Sequence, residues 1–316
     1  MEKYWTAWVH DATRCLCRRV RRTYAEQHQK RMESVAVLVA QTSAGVARII
    51  GTRYEVLDVG GLNLSGLLKS GEIGRLEQAR VTATLGGDEV TVQTPIDGPG
   101  NMIIVGLNYK DHAAEIGTEI AQVPRVHLVA PSAVSGPTDD IPLPRIAGSA
   151  VDYEGEMAVV IGAPASDVSV DEAWSHVAGI TAANDVTARD VQNGSNALVS
   201  GPNVGLAKAF DGFKPLGPAL LTTAGVRDGQ ALRLRTLVDG EVRQDSSTAE
   251  MHFSVAELIS YISQYMTLHR GDVILTGTPG GVGVSSGRFL RAGQVVEVEL
   301  EGVGVLRNRV ASQLQR

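Results

Sequence analysis

The segment Asp152–Ile161 places acidic residues at alternate positions and then continues directly into an apolar run. Side chains of an extended strand point alternately to its two faces, so Asp152, Glu154 and Glu156 are predicted to share one face. Acids at this spacing lie roughly 6.5–7 Å apart and repel each other unless solvent or a cation separates them. Two interpretations follow: a site for a hard divalent cation, or an edge strand with a solvated acidic face.

The composition of the 316-residue chain is that of a globular protein, with 43% hydrophobic and 20% charged residues. The 35 glycines and 4% aromatic residues favour a fold with many tight turns over a helical bundle. A net charge of -6 argues against a nucleic-acid surface, and no apolar run approaches the length of a membrane span. We therefore expect a small-molecule partner, with neither nucleic acid nor membrane.

Residues 1–31 differ from the rest, because they hold eight Lys and Arg residues against three acids, together with both cysteines, Cys15 and Cys17. Three interpretations stay open: a translated leader before a start at Met32, an Arg-rich transit peptide, or a basic helix that docks on the body. The first is favoured, since the segment lacks the apolar run of a secretory signal and the Ser-richness of transit peptides. The cysteine-free remainder indicates the cytoplasm, or mitochondria if residues 1–31 are a transit peptide.

Turn signals divide the remainder into a small strand-rich N-terminal domain, residues 32–100, and a larger body, residues 101–316. The boundary is the Pro- and Gly-rich segment 95–100, which is typical of a linker. In the small domain, strands are predicted at 35–40, 45–50, 80–85 and 89–94, with a helix at 64–68 opened by Asn63 or Ser65.

Three segments of the body carry polar residues at informative spacings. A helix capped by Asp111 would place His112 and Glu115 on one face, either as an oriented base or as a surface polar pair. A helical turn beginning near Asp185 would bring that acid together with Arg189 and Gln192. Lys208 stands alone in an apolar, Gly-rich neighbourhood, where a solvated lysine is the default interpretation.

The remaining elements are predicted from periodicity. A helix is expected at 170–177, a strand at 178–183, and an amphipathic helix at 254–266 whose apolar stripe packs in the core. The strand after Arg270 leads into a Gly-rich loop that contains Thr278. This loop lacks a Gly-Lys-Ser/Thr ending and a following helix start, so we expect close backbone approach to a ligand and no nucleotide site.

Five segments, in this order, resemble the fumarylacetoacetate hydrolase family. The resemblance implies an α+β, strand-rich fold: a mixed β-roll catalytic domain over 101–316, usually in a homodimer. It also implies Mg²⁺ or Mn²⁺ and a 2-oxo acid substrate. The segments are GLNYKDHAAE (106–115), DYEGEMAVVIG (152–162), NDVTARDVQ (184–192), AKAFDGF (207–213) and GDVILTGTPGGVG (271–283).

The resemblance also implies roles for particular residues. Asp152 becomes a bystander outside the ligand set. The metal ligands would be Glu154, Glu156 and Asp185; the catalytic residues His112 and Glu115, as a water-activating pair, and Lys208, as a cation beside the metal; and the substrate contacts Arg189, Gln192 and Thr278.

The implied reaction is hydrolysis of an acylpyruvate-type 2,4-dioxo acid through a metal-stabilised pyruvate enolate. The alternatives are a decarboxylase or enol-keto isomerase that uses the same site, and a non-catalytic 2-oxo acid binding protein. Two departures matter. Val105 replaces an Asp ligand of the larger family hydrolases, which indicates the smaller three-ligand type. Many relatives have a Lys directly before the Pro-Ser pair, where this chain has Val129-Ala130-Pro131-Ser132, and this leaves the substrate-tail contacts open. Those contacts are expected from His127, 137–144 and 193–200.

Overall fold

The computed structural model describes residues 37–223, 226, 228–229 and 231–312. The basic segment 1–31, with Cys15 and Cys17, lies outside these residues. The described chain is strand-rich α+β, as predicted. The strands are β1 Leu38–Thr42, β2 Gly45–Ile50, β3 Arg53–Leu57, β4 Val81–Gly86, β5 Val92–Gln93, β6 Met102–Gly106, β7 Arg125–Val129, β8 Val134–Ser135, β9 Ile141–Pro142, β10 Val151–Asp152, β11 Gly155–Ile161, β12 Val177–Asn184, β13 Thr187–Ala188, β14 Lys214–Thr222, β15 Arg233–Val238, β16 Glu241–Ser247, β17 Val273–Leu275, β18 Val295–Leu300 and β19 Gly304–Ala311.

Helices are short and few by comparison. They are α1 Leu64–Ser70, α2 Lys110–Glu115, α3 Val170–Ala173, α4 Arg189–Gln192, α5 Val204–Lys208, α6 Val255–Ser263 and α7 Gly283–Ser286, with single 3-10 turns between some strands. In the described part of the chain, none of these helices has both the length and the apolar character of a membrane span.

One large mixed sheet runs through the molecule in the order β4-β3-β2-β1-β14-β12-β11-β17-β6-β7. A second sheet has the order β16-β15-β18-β19-β9, and β10 pairs with β13 in a two-stranded ribbon. Apolar side chains of β11, β12 and α6 form one core between the large sheet, this helix and the second sheet. In the order of the large sheet, β12 and β11 are central strands and β7 is an edge strand.

β11 lies between β12 and β17, and all seven of its residues are buried. The interpretation of Asp152–Ile161 as an edge strand with a solvated face is therefore wrong. The predicted continuous strand is also interrupted, because Tyr153 and Glu154 separate β10 from β11. The alternating acids thus enter the interior of the protein, where each charge needs a partner.

The N-terminal strands extend the large sheet, since β1 pairs with β14. Helix α1 begins as predicted, with the Asn63 side chain accepting a hydrogen bond from the Gly66 amide at 2.7 Å. It ends at Gly71, whose φ of 78° places it in the left-handed region that favours glycine. The division of the chain at residue 100 stays a prediction.

Helix α6 confirms the predicted amphipathic segment. A capping box opens it, in which the Ser254 hydroxyl and the Glu257 carboxylate each accept from the other residue's backbone amide. The apolar stripe is buried, although the helix ends at Ser263, before Met266. The predicted helix at 170–177 is shorter than expected, because α3 ends at Ala173 and a 3-10 turn leads into β12.

Candidate metal centre and active site

Three acidic side chains meet where β11 begins and β12 ends. Glu156 lies on β11, Glu154 precedes that strand, and Asp185 follows β12. The antiparallel register pairs Gly155 with Asn184, and the Asp185 amide donates to the Glu154 carbonyl at 2.8 Å. One carboxylate oxygen of each acid lies within 4.8 Å of the other two. The structure thus brings together the three acids that the resemblance implied as metal ligands.

This group of acids fits a hard divalent cation. All three residues are at most 5% exposed, and their ligand atoms are carboxylate oxygens, which Mg²⁺, Mn²⁺ and Ca²⁺ prefer. Glu156 is buried and forms no ion pair among the described residues. A buried carboxylate without a positive partner is costly, so a cation would stabilise this group of acids.

The surroundings set the two glutamates apart electrostatically. Burial alone would raise the pKa of Glu154, but Lys208 and Arg189 outweigh burial and hold that pKa at about 2. Burial and the charges of Asp185 and Glu154 raise the pKa of Glu156 well above its ordinary value. Glu154 is therefore anionic at neutral pH. Glu156 loses its proton less easily, and a bound cation would favour its anionic form.

Lys208 is buried beside the acids, so the default interpretation of a solvated lysine is wrong. Its Nζ atom donates to Glu154 Oε2 at 2.6 Å and to Asp185 Oδ2 at 2.5 Å. Burial would lower the pKa of Lys208, but the Asp185 and Glu154 carboxylates outweigh it and raise this pKa above its ordinary value. The side chain is thus a fixed ammonium ion at the edge of the acidic group.

Arg189 reaches the acids from α4. The predicted helical turn at Asp185 is wrong, because β13 follows that acid and the helix begins only at Arg189. The guanidinium nevertheless converges on the site: its Nη2 lies 2.7 Å from Glu154 Oε1, and its Nη1 donates to Gln192 Oε1 at 2.9 Å. Its Nε donates to the buried Asp152 at 2.8 Å.

Asp152 lies outside the acidic group, as the resemblance implied. Its carboxylate accepts from the Gly283 and Val284 amides at 2.7 and 2.9 Å, in addition to the bond from Arg189. These amides belong to α7, a one-turn helix that the sequence analysis did not expect after the Gly-rich loop. Asp152 therefore anchors both Arg189 and the end of this loop.

Lys214 is a fully buried lysine that the sequence analysis did not single out. Its ammonium donates to the carbonyls of Lys208, Phe213 and Val186 at 2.6, 3.0 and 3.1 Å. The same nitrogen lies 2.9 Å from Asp185 Oδ1. Lys214 therefore gives Asp185 a positive neighbour and at the same time satisfies three backbone carbonyls in the interior. A charged residue at the start of an apolar strand was the available signal.

His112 and Glu115 share one face of α2, as predicted. His112 Nδ1 lies 3.5 Å from Glu115 Oε2, and the Glu115 carboxylate also accepts from the Gly281 amide at 3.0 Å. The helix is not capped by Asp111 as expected, because it begins after Tyr109. The imidazole is largely buried and lines the cavity, and Nδ1 makes no hydrogen bond among the described residues, so Glu115 lies beside it without a direct bond.

Thr278 and the Gly-rich loop close the site from a third side. The Thr278 hydroxyl donates to the Gly155 carbonyl at 2.9 Å and accepts from Gln244 at 2.8 Å. The Gly277 amide donates to Glu156 Oε2 at 2.7 Å, with Gly277 at a φ of 100°. The backbone of this loop thus meets a protein carboxylate, and its close approach to a ligand stays a prediction.

A cavity of about 390 Å³ opens over the acids. Every predicted site residue except Glu115 lines this cavity. Glu115 lies next to His112, with its Oε2 atom 3.5 Å from the imidazole Nδ1. His127 of the expected substrate-tail contacts also lines it, whereas the segments 137–144 and 193–200 do not contribute. The lining residues are Ile104, Val105, Gly106, Leu107, His112, Ile116, Arg125, His127, Glu154, Glu156, Asp185, Arg189, Gln192, Val204, Lys208, Thr278 and Val284.

Comparison with known proteins agrees with this arrangement. The family model described as fumarylacetoacetate (FAA) hydrolase C-terminal matches residues 101–311. The chain is 41% identical to the mitochondrial oxaloacetate tautomerase FAHD2A of Bos taurus over 261 residues, which cover 82% of this chain and 79% of the bovine protein. It is 39% identical to the oxaloacetate tautomerase YisK of Bacillus subtilis over 227 residues, covering 70% and 73% of the two chains.

The fold comparison gives the same answer. A fumarylacetoacetate hydrolase from Exiguobacterium antarcticum superposes with a TM-score of 0.75 at 32% identity, covering 89% of this chain and all of the other. The protein is therefore a strand-rich enzyme with a buried acidic group that could hold a divalent cation. It belongs to the fumarylacetoacetate hydrolase family.

Proposed function

We propose that this protein is a Mg²⁺- or Mn²⁺-dependent enol-keto tautomerase of a 2-oxo acid, with oxaloacetate as the substrate. The observation that carries the proposal is the group Glu154, Glu156 and Asp185, buried beside the fixed ammonium of Lys208. Similarity to two oxaloacetate tautomerases supports the choice of reaction. This choice favours the isomerase alternative over the hydrolysis that the resemblance first implied.

The three acids would hold the cation, which would act as a Lewis acid toward the substrate's carbonyl oxygen. Lys208 contributes a positive charge within hydrogen-bond distance of two of these acids. It therefore lies close enough to stabilise the negative charge that develops on the 2-oxo oxygen when a proton leaves C3. Arg189, held by Asp152 and Gln192, gives the carboxylate end of the substrate a second cationic contact.

Tautomerisation moves one proton between the enol hydroxyl and C3, so it requires a group that carries a proton. His112 lines the cavity and lies beside Glu115, which makes it the proton carrier of this proposal. Neither water nor a leaving group takes part. The distinction from hydrolysis thus lies in whether the imidazole acts on the substrate's proton or on a water molecule.

Hydrolysis of an acylpyruvate is the second candidate, and the His112–Glu115 pair favours it specifically. An imidazole beside a carboxylate is suited to deprotonating water, which would attack C4 and break the C3–C4 bond. The pyruvate enolate that leaves would then take a proton at C3, while C4 would leave as part of a carboxylic acid. The cation that the three acids would hold, together with Lys208, would stabilise the negative charge in either reaction, so the two reactions differ only in the substrate that is bound.

One assay separates the candidates. The enol forms of oxaloacetate and acetylpyruvate are followed by ultraviolet absorbance with Mn²⁺, with Mg²⁺ and with EDTA, while pyruvate, acetate and CO₂ are quantified. Our proposal expects metal-dependent loss of oxaloacetate enol without pyruvate. Pyruvate with acetate from acetylpyruvate would establish the hydrolase instead, and CO₂ with pyruvate from oxaloacetate a decarboxylase. Thermal stabilisation by substrate without any turnover would leave a binding protein.

A homodimer and a cytoplasmic location, or a mitochondrial one if residues 1–31 are a transit peptide, also remain proposals. The homodimer rests on the family resemblance alone. Light scattering coupled to size-exclusion chromatography would test the dimer. We expect a mass near twice 33.4 kDa, and a mass near 33.4 kDa would contradict the dimer.

A further inference from the structure

The outer wall of the cavity is strand β7, the edge of the large sheet. Arg125 and His127 are two positions apart on this strand, so both point to the same face, and both line the cavity. In the pairing with β6, Arg125 stands opposite Gly106 and His127 opposite Ile104. A cation and an imidazole therefore line the same cavity as the acids.

Arg125 differs from the other cations of the cavity in its lack of an acidic partner. Arg189 and Lys208 are engaged by Asp152, Glu154 and Asp185 at 2.5–2.8 Å. Within the described part of the chain, Arg125 makes no ion pair. A planar guanidinium without a partner, at the wall of a small-molecule cavity, is suited to bind a carboxylate in a bidentate manner.

The position opposite Arg125 leaves room for such a group. Gly106 has no side chain, and a Cβ atom built there would lie 3.8 Å from the Arg125 Cβ and so occupy the space beside it. Gly106 itself lines the cavity. The space between the Arg125 side chain and the cavity floor is thus open to a ligand.

His127 lies in the field of both neighbouring cations. Burial lowers its pKa, and the charges of Lys208 and Arg125 lower it further, against an opposing effect of Asp185. A neutral imidazole keeps one N–H donor, which a carboxylate can accept alongside the guanidinium. The wall therefore offers one charged and one neutral donor group to a ligand in the cavity.

We propose that Arg125 and His127 form a subsite for a second carboxylate, so that the enzyme selects 2-oxo dicarboxylates over 2-oxo acids with an uncharged tail. This inference rests on the proposed function, because it assumes that the 2-oxo end of the substrate lies at Glu154, Glu156 and Asp185. Arg125 is then a specificity-determining residue that contacts the tail and takes no part in the proton transfer.

The test compares Arg125→Gln, Arg125→Lys and the wild type on oxaloacetate and on acetylpyruvate, which has an acetyl group in place of the distal carboxylate. Enol-keto conversion is measured for both with Mn²⁺ present. We expect Arg125→Gln to raise KM for oxaloacetate by about tenfold to a hundredfold, with kcat nearly unchanged, because one charge-assisted contact is lost. Acetylpyruvate should change less than about twofold, and Arg125→Lys should recover part of the loss.

Arg53→Gln is the matched control, since Arg53 is exposed on β3 and its loss removes the same charge outside the cavity. It should leave both substrates unaffected. Equal losses on the two substrates in Arg125→Gln, or no loss on either, would overturn the subsite. If the wild type converts neither substrate, the proposed function fails, and calorimetric binding of oxaloacetate with Mg²⁺ then tests the subsite alone: equal affinity of wild type and Arg125→Gln overturns it.

Discussion

The two sides of the cavity are built differently. The inner side, formed by Glu154, Glu156, Asp185 and Lys208, lies at the centre of the large sheet, and every one of these residues is at most 5% exposed. The outer side lies on the edge strand β7, where Arg125 is exposed and His127 is only partly buried. On the inner side Lys208 is paired with Glu154 and Asp185, whereas the outer guanidinium has no acidic partner among the described residues.

This difference separates chemistry from specificity. A buried charge network loses stability when one member is removed, because its partners remain buried and uncompensated. An exposed residue on an edge strand can change at little cost to folding. The inner side is therefore constrained to one arrangement, while the outer side is free to determine which substrate tail is accepted.

The largest effect is expected from Glu156→Ala, which removes an inner acid. Loss of one of three carboxylate ligands should reduce the metal-dependent rate by at least about a thousandfold, since a Lewis acid supplies several kcal/mol of transition-state stabilisation. Steady-state kinetics with a saturating range of Mn²⁺ measures it. Glu250→Ala, at an exposed glutamate, is the control. If Glu156→Ala retained a tenth of the activity, Glu156 would not be a metal ligand.

Lys214→Met tests whether the inner network is also structural. We expect the free energy of unfolding to fall by about 3–5 kcal/mol, because Asp185 loses a buried positive neighbour and three carbonyls lose their donor. Urea denaturation measures the change. Lys69→Met is the matched control, since the Lys69 ammonium also donates to a carbonyl, that of Gly98, but at the surface. Similar losses in the two variants would contradict the special role of the buried lysine.

His112→Ala tests the proposed proton carrier, which lines the same cavity. The rate should fall about a hundredfold to ten-thousandfold, which is the usual contribution of general acid-base catalysis. Metal affinity should be nearly unchanged, because His112 is not among the three clustered acids. Glu115→Gln should cause a smaller loss of the same kind, since Glu115 lies beside the imidazole without a direct bond to it. An unchanged rate in His112→Ala would exclude the imidazole as proton carrier.

The smallest expected effect is the pH dependence of Mn²⁺ affinity, which follows from the proton on Glu156. Because the pKa of Glu156 is raised, its carboxyl holds a proton below that pKa when no cation is bound, and cation binding must displace it. Affinity for Mn²⁺ should therefore fall as the pH is lowered, by up to about tenfold per pH unit. Calorimetry in buffers of different ionisation enthalpy measures the released proton. A pH-independent affinity without proton release would contradict the inverted environments of Glu154 and Glu156.

The sequence identified the inner acids better than it identified their setting. Alternation pointed to Glu154 and Glu156, but it also included Asp152, which lies outside the acidic group. It could not distinguish an edge strand from β11, because the neighbours β12 and β17 come from distant segments. Lys208 could not be placed inside by local pattern for the same reason. Its burial follows from two carboxylates that approach it only in the folded protein.

Two further features depend on tertiary contacts in the same way. Lys214 forms its bonds with backbone carbonyls, which have no sequence signature. Arg125 is a single arginine after a proline, and only the folded structure shows that it lines the cavity with the acids. By contrast, helix α6 was predictable, since the capping box from Ser254 to Glu257 and the apolar stripe are both local.

The central claim is that Glu154, Glu156 and Asp185 together hold a divalent cation, and crystals grown with Mn²⁺ test it most directly. Anomalous diffraction should show one strong peak between the three carboxylates, with an oxygen of each acid at about 2.0–2.3 Å, and the peak should disappear in Glu156→Ala crystals. A peak elsewhere, or no peak at a Mn²⁺ concentration that saturates activity, would contradict the account.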